Sequence, residues 1–444
     1  MTDLRDVARS IFLQALQDCS IDRAVARAVS TQNGQLHLCG KPLRIAEIKR
    51  LRIVSAGKAG ATMLSALLRH PPLPPAWNVS GVLIAPGPLS PMPPNFSYFA
   101  GGHPIPDGAS FAGARAALEL LQSIPADECA TTLCIFLLSG GASAMMELPL
   151  DPAIGLADIA MFYRVLVGSG ASITEINCVR KHFSAVKGGR LALAAGDATC
   201  VSMFVSDVPV GHEDAIGSGP TLTDTTTVGE CREILARYQL LPQFPPAVRS
   251  FFESASLPDT PRGPRQNARC CVLLHADDLV QAAARRARDL GWKVTIDHTT
   301  DEWEYDKAAD YLLHRLRELR RQSPRVCLIA GGEVIVRLPA NPAPGAVGIG
   351  GRNQQFALYA ATLLQASDKP VAILSAGSDG IDGNSPAAGA VVDEMLLQTE
   401  KLRLAGLSAL SKFDGCPFLD THRATVNTGF TGTNLRDLRI LMRA

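Results

Sequence analysis

Short apolar runs, rich in β-branched residues and ending in glycine, serine or acidic residues, predict an α/β fold. Helical patterns follow most of these runs, as the crossovers of a parallel sheet require. The runs at 51–55, 132–138, 200–205, 326–329 and 371–374 are largely or wholly apolar rather than alternating, as in strands covered on both faces. A length of 444 residues with 47% hydrophobic content suits two or three domains.

Along the chain, apolar residues at helical spacing (Val7, Ile11, Ala15, Leu16) predict a first helix over 4–29. The run 51–55 opens into Ser55-Ala56-Gly57-Lys58-Ala59-Gly60. The stretch 71–94 is too proline-dense for a helix and reads as loops flanking one strand over 79–85. The run 132–138 leads into Ser139-Gly140-Gly141-Ala142-Ser143. A basic helix is expected over 177–193, with Val179, Phe183 and Val186 on one face and Arg180 and Lys187 sharing another. The run 200–205 ends in Ser206-Asp207-Val208-Pro209, and prolines over 241–265 mark a domain boundary or hinge. Gly331-Gly332-Glu333 follows the run 326–329. Gly350-Gly351-Arg352-Asn353 enters an apolar helical stretch, and the run 371–374 ends in SAGSDGID, which contains Asp379 and Asp382.

Lys+Arg 43 against Asp+Glu 42 leaves no basic excess to draw the chain to nucleic acid or anionic lipid. Residues 1–9 lack the apolar core of a signal peptide, and no run is long enough to span a bilayer. Eleven scattered cysteines without a CxxC read as reduced core thiols of a cytoplasmic protein.

Ligands in open α/β sheets bind beyond the carboxyl ends of the strands, where exposed N–H groups and glycines let an anion approach. Five such ends point to a phosphate site between domains. No GxxxxGK[ST] occurs, and AGKAG rather than GxGxxG follows the first strand, which argues against a P-loop and against a dinucleotide fold. Lysine is scarce, ten of the 43 basic residues, so Lys58 in a glycine-flanked turn is a candidate charge for a phosphoryl group. Arg352 suits a bidentate contact to phosphate or carboxylate. Asp379 and Asp382 are candidates to hold Mg²⁺ or a hydroxyl, and Asp207 is a cleaner candidate base. His103 and His182 read as structural or surface residues.

As a set, SAGKAG (55–60), GGHPIPDGAS (101–110), LLSGGASAMMELP (137–149), GASITEINCVRKHFSAVKGGRLA (170–192), SDV…IGSGPT (206–221), AGGEVIV (330–336), GGRNQQFAL (351–358), SAGSDGIDG (375–383) and TGFTGTNLRDL (428–438) resemble the glycerate 2-kinase family, the class II glycerate kinases. The resemblance implies a Rossmann-like, mostly parallel α/β domain over 1–240 and a smaller C-terminal α/β domain over 241–444. The latter contains the MOFRL region, about 325–440, with a cleft between the two domains. It implies transfer of the ATP γ-phosphate to the 2-hydroxyl of D-glycerate, with Mg²⁺ or another divalent ion. Lys58, Asp207 and Arg352 would be the active-site charges, and Asp379 would help hold the metal. Ser139, Gly140, Gly141, Arg180, Lys187, Gly331, Gly332, Glu333, Asn353 and Asp382 would contact nucleotide or substrate. A homodimer is left open.

Three positions depart from the family pattern: Val210-Gly211-His212 where a Gly-Asp pair is usual, Gln355 for a Glu, and Phe430 for a Pro. Two rival readings stand beside the kinase. One is an NAD(P)-dependent hydroxypyruvate reductase, disfavoured by the missing dinucleotide fingerprint. The other is a non-catalytic glycerate or nucleotide sensor, to which the departure at 210–212 lends weight.

Overall fold

The computed structural model describes residues 3–208, 211–263, 267–339 and 347–444. It divides into a central unit, 21–274, and a composite unit built from 1–20 and 275–444. The division expected near 240 therefore falls at 274/275, and the first 20 residues join the C-terminal part. The proline-rich stretch is not the boundary. Pro245 and Pro246 start the helix Pro246–Glu253, whose Val248 and Phe252 are buried in the central unit with Phe162, Phe183 and Phe244. Proline is tolerated there because the first turn of a helix leaves its N–H groups unbonded.

The central unit carries a small antiparallel sheet, β1 (Val29–Gln32), β2 (Gln35–Leu38) and β3 (Lys41–Arg44). Its main sheet comprises β4 (Arg50–Ala56), β5 (Asn78–Ile84), β6 (Phe96–Phe99), β7 (Thr132–Ser139), β8 (Thr199–Ser206) and β9 (Ala268–His275), in the order β6-β5-β4-β7-β8-β9. The pairs β6/β5, β5/β4, β4/β7 and β7/β8 are parallel. Every residue of β7 is buried, as the unbroken apolar run requires. Cys39 and Cys271 form a disulfide between the turn after β2 and strand β9. This corrects the expectation of reduced thiols throughout: the adjacency of Cys270 and Cys271 concealed a partner 232 residues away, and Cys270 is exposed.

The basic helix is also shorter than expected. Ser172 and Glu175 close a capping box, and the helix Ile173–Phe183 ends there. Gly188 and Gly189 take positive φ before a single turn, Arg190–Leu193. Arg180 and Lys187 thus do not share a helix face.

The composite unit has a mixed sheet of β10 (Lys293–Ile296), β11 (Val326–Gly331), β12 (Val371–Gly377), β13 (Gly389–Asp393), β14 (Thr425–Val426) and β15 (Asp437–Arg443), ordered β10-β11-β15-β12-β13-β14. The apolar runs at β11 and β12 are not neighbours. β15 lies between them, antiparallel to both. The expected helix 4–29 is two helices, Leu4–Asp18 and Ile21–Ala28, in different units. The first buries Ala8, Ile11, Phe12 and Ala15, one helical stripe, and Asp18 receives Arg286 Nε and Nη2 at 2.8 Å each. Among the described residues, no helix is long and apolar enough to cross a membrane.

Candidate active site

In the central unit, β4, β7 and β8 end in register, Ala56 beside Leu138 and Leu138 beside Phe204. Their following loops therefore meet at one edge. Lys58 N donates to Gly140 O (2.9 Å), and Ala59 N donates to Ser139 Oγ (3.0 Å). Gly57, at φ +114°, lies so close to Ser139 that a Cβ would collide with its Oγ and carbonyl oxygen. Ser139 is thus engaged in shaping the lysine loop. Gly140 leaves its Cα bare against the Asp207 carboxylate, and Gly141 does the same beside Lys58 and His103. A Cβ at Gly141 would stand 3.1 Å from Lys58 Cγ and 3.3 Å from His103 Cδ2. These glycines give the acid, the lysine and the histidine room at one edge.

His103, read from sequence as structural, belongs to this group. Partial burial, then the Lys58 and Arg180 charges, hold its imidazole below the usual histidine range, so it is neutral near pH 7. His182 is the structural residue it was taken for, buried with Nδ1 at 2.9 Å from Cys178 O.

Arg180 is buried, with its guanidinium 4.7 Å from the Tyr163 ring centroid and Nη1 3.5 Å from Ser143 Oγ. Ser143 Oγ lies 2.7 Å from Ser218 Oγ, which donates to Asn177 Oδ1 (2.8 Å). Beneath it, Lys187 Nζ donates to Glu147 Oε2 (2.7 Å), and both side chains are fully buried. Tyr163 OH also donates to Glu147 Oε2. Burial lowers the Lys187 pKa to about 8, with the Arg180 charge acting in the same direction. Lys187, expected to touch ligand, instead neutralises a buried carboxylate under the arginine. The helix break at 184–189 puts it there.

In the composite unit the carboxyl ends of β11 and β12 flank the start of β15, Gly331 beside Leu438 and Gly377 beside Asp437. Arg352, first residue of the helix Arg352–Thr362, donates through Nε (2.5 Å) and Nη2 (3.1 Å) to Asp437, and Nη2 reaches Glu333 Oε1 at 2.7 Å. Asp437 and Glu333 hold the guanidinium firmly charged against its desolvation. Burial, then the Asp437 charge, raise the Glu333 carboxyl pKa. Glu333 N donates to Asp301 Oδ1 (2.9 Å), which Arg436 grips bidentately at 2.7 and 2.8 Å. Arg439 Nη2 donates to the carbonyls of Gly331 (2.8 Å) and Gly332 (3.2 Å). The Gly331-Gly332-Glu333 loop is therefore held from two sides.

Asp379 lies at the end of β12, where its Oδ1 accepts from Ile381 N (3.1 Å). A Cβ at Gly377 would stand 3.2 Å from that oxygen and 3.3 Å from Asp437 Oδ1, so the two carboxylates border one small space. Asp382 does not join them. It caps the helix Arg352–Thr362, accepting from Asn353 N (3.0 Å) and Gln354 N (2.8 Å). Asn353 is buried between Ser375 Oγ (2.6 Å) and Asp382. Both were expected to bind ligand; both instead set the start of the helix that carries Arg352. Among the described residues no three His, Cys, Asp or Glu cluster as metal ligands. Asp437, Arg436, Asp301 and Arg439 were not picked out from sequence, although TGFTGTNLRDL contains Arg436 and Asp437.

Of the departures, Gln355 is buried and donates to Leu410 O (3.0 Å), a bond an ionised Glu could not make. Phe430 is exposed. Val210 and Pro209 lie outside the described residues, while Gly211 N donates to Glu213 Oε1 (3.0 Å).

A family model described as a domain of unknown function (DUF4147) matches residues 7–253, and the MOFRL family matches 326–437. The chain is 31% identical to a glycerate 2-kinase of Pyrococcus horikoshii over 99% of its own length and 97% of that protein's. It is 31% identical to a D-glycerate 2-kinase of Thermotoga maritima, with 98% of each covered. The chain belongs to the glycerate 2-kinase family. A crystal structure of a Thermotoga maritima glycerate kinase superposes with a TM-score of 0.81 at 30% identity, covering 99% of both chains. This glycerate 2-kinase family member is therefore similar to its relatives from end to end, not through one domain alone.

Proposed function

We propose that the chain transfers the γ-phosphate of ATP to the 2-hydroxyl of D-glycerate. The observation that carries this is a lysine on a strand-end loop anchored through its backbone, Lys58, and an arginine held by two carboxylates at another strand end, Arg352, in a chain matched along its whole length by glycerate kinases. Phosphoryl transfer needs charge neutralisation and alignment more than covalent help. Lys58 places a point charge on the equatorial phosphate oxygens, and Arg352 presents a fork pre-oriented by Asp437 and Glu333. Asp207 accepts the proton of the 2-hydroxyl as its oxygen bonds to phosphorus and the bond to the β-phosphate oxygen breaks, releasing ADP. Neutral His103 donates a hydrogen bond without opposing Lys58. Arg180, packed on Tyr163, offers a second fork for the glycerate carboxylate.

A divalent cation would be held by Asp379 with phosphate oxygens and water, since Arg352 already binds both oxygens of Asp437. It would supply charge compensation to the β- and γ-phosphates. Cytoplasmic location and action on small molecules alone complete the proposal.

ADP release measured with D-glycerate, hydroxypyruvate and tartronate as acceptors tests it, beside NADH oxidation with hydroxypyruvate. ADP release fastest with D-glycerate is the expected result. NADH oxidation without ADP release would replace the kinase with a reductase.

A further inference from the structure

A second cationic pocket lies in the composite unit, at the far end of β15 from Asp437. It is lined by Arg317, Arg320, Arg321, Asp368 and Arg443, with Gln365 and Ser367, around a cavity of about 390 Å³. Arg443 sits at the end of β15 and Asp437 at its start, so about 20 Å of strand separates this pocket from the Arg352 edge. The proposal goes beyond the kinase reading and does not depend on it.

Four arginines and one carboxylate line this pocket. That carboxylate is already spoken for. Arg317 Nε (3.0 Å) and Nη2 (2.7 Å) bind Asp368 bidentately, Gln365 N donates to it at 3.0 Å, and Arg443 Nη1 lies 3.5 Å away. Asp368 is consequently held below the usual carboxylate range, against the opposing effect of its burial. It cannot also neutralise Arg320, while Arg321 shares the field of Glu318 outside the pocket. The Nε atoms of Arg320 and Arg443 are both buried and lack a hydrogen-bond partner among the described residues. A buried donor left unsatisfied costs stability, and a buried cationic one costs more.

Part of the cluster has a local reason. Arg320 and Arg321 sit in the last turn of the helix Tyr305–Gln322, where cations complement the helix dipole. The dipole explains why arginines are tolerated at that helix end. It does not explain a fourth arginine brought from β15 to the same pocket. Arginine, with its planar fork, suits phosphate oxygens, and a cavity of this volume suits a small metabolite.

We propose that this pocket binds a small soluble organic or inorganic phosphate carrying two or three negative charges, at a site separate from the Arg352 edge. The phosphate would accept from the guanidinium ends of Arg320 and Arg321 at the exposed rim, with Arg317 and Arg443 supplying further charge from the pocket wall.

Isothermal titration of the full chain with inorganic pyrophosphate and with 2-phosphoglycerate tests the site, using wild type and the Arg320→Gln/Arg321→Gln variant. Neither residue pairs with Asp368 in the described contacts, so the fold should tolerate the change; Arg320→Lys/Arg321→Lys controls for charge alone. The wild type should bind one more equivalent of at least one probe than the Gln variant, or bind it at least tenfold more tightly. Glycerate and ATP KM values should be unchanged. A signal with pyrophosphate only would assign an inorganic or diphosphate ligand, and one with 2-phosphoglycerate only a phosphorylated acid. Identical stoichiometry and affinity in wild type and Gln variant, for both probes, would overturn the proposal. Loss of turnover in the Gln variant would also overturn it, because the pocket would then not be separate from the reaction.

Discussion

Replacing Arg352 by Ala removes three charge-assisted hydrogen bonds at once, two to Asp437 and one to Glu333. The effect divides into a structural and a catalytic part. Asp437 is almost wholly buried, and stranding a buried charge costs about 3–5 kcal/mol. Arg352 itself is 36% exposed, so water replaces part of what is lost and about 2 kcal/mol is the expected destabilisation. The catalytic part is larger. Removing one preorganised charge from a developing anion costs about 10²–10³ in kcat, or about 3–4 kcal/mol. Glu333 supplies an independent readout. Its pKa is already raised by burial and by Asp437, and Arg352 opposes that rise. Without Arg352 it climbs further. A carboxyl raised in the folded state contributes stability that is complete below its unfolded pKa and fades as pH rises through the folded one. The variant should therefore lose stability up to a higher pH than wild type. Steady-state ADP release and urea unfolding across pH 5–8, a range chosen to span neutrality, measure both parts. A variant within threefold of wild-type kcat/KM would refute the role given to Arg352.

Gly140→Ala puts a methyl group where the Asp207 carboxylate lies, so the flexible acid must move while the backbone stays; kcat should fall by about 10²-fold, the cost of losing positioned acid–base help, with an unchanged circular dichroism spectrum. Lys187→Met leaves Glu147 buried and unpaired, and urea unfolding should show a loss of about 3–5 kcal/mol; the double variant Lys187→Met/Glu147→Leu should recover most of it. Asp382 is raised to about 7 by burial, despite the backbone donors that favour its charge. Its contribution to stability is present below pH 4 and is lost as pH rises through 7, so Asp382→Asn should flatten the decline of stability across that window.

Strands β4, β7 and β8 were legible because they are largely buried on both faces and carry largely or wholly apolar runs. Their loops were legible for a related reason: glycines are required where Lys58 and Asp207 approach neighbouring backbone. The antiparallel β15 was not, because Asp437, Arg439 and Arg443 break up its apolar residues; its place between β11 and β12 is set by tertiary pairing. The boundary was misplaced because proline was taken to signal a hinge, whereas Pro245 and Pro246 start a helix. Asp382 and Lys187 misled for one reason. A lone charge in sequence does not reveal whether its partner is a ligand, a helix N-terminus or Glu147. His103 erred in the opposite direction, since nothing within GGHPIP signals that Lys58 lies beside it.

The most direct test is phosphorus NMR of the purified chain with ATP, Mg²⁺ and D-glycerate. Phosphoryl transfer directed by Lys58, Asp207 and Arg352 predicts that the ATP γ-phosphate signal is replaced by that of 2-phosphoglycerate, with ADP in equal amount. Formation of 3-phosphoglycerate would contradict the assigned acceptor hydroxyl, and ATP left intact beside a folded, ligand-binding protein would contradict the kinase itself.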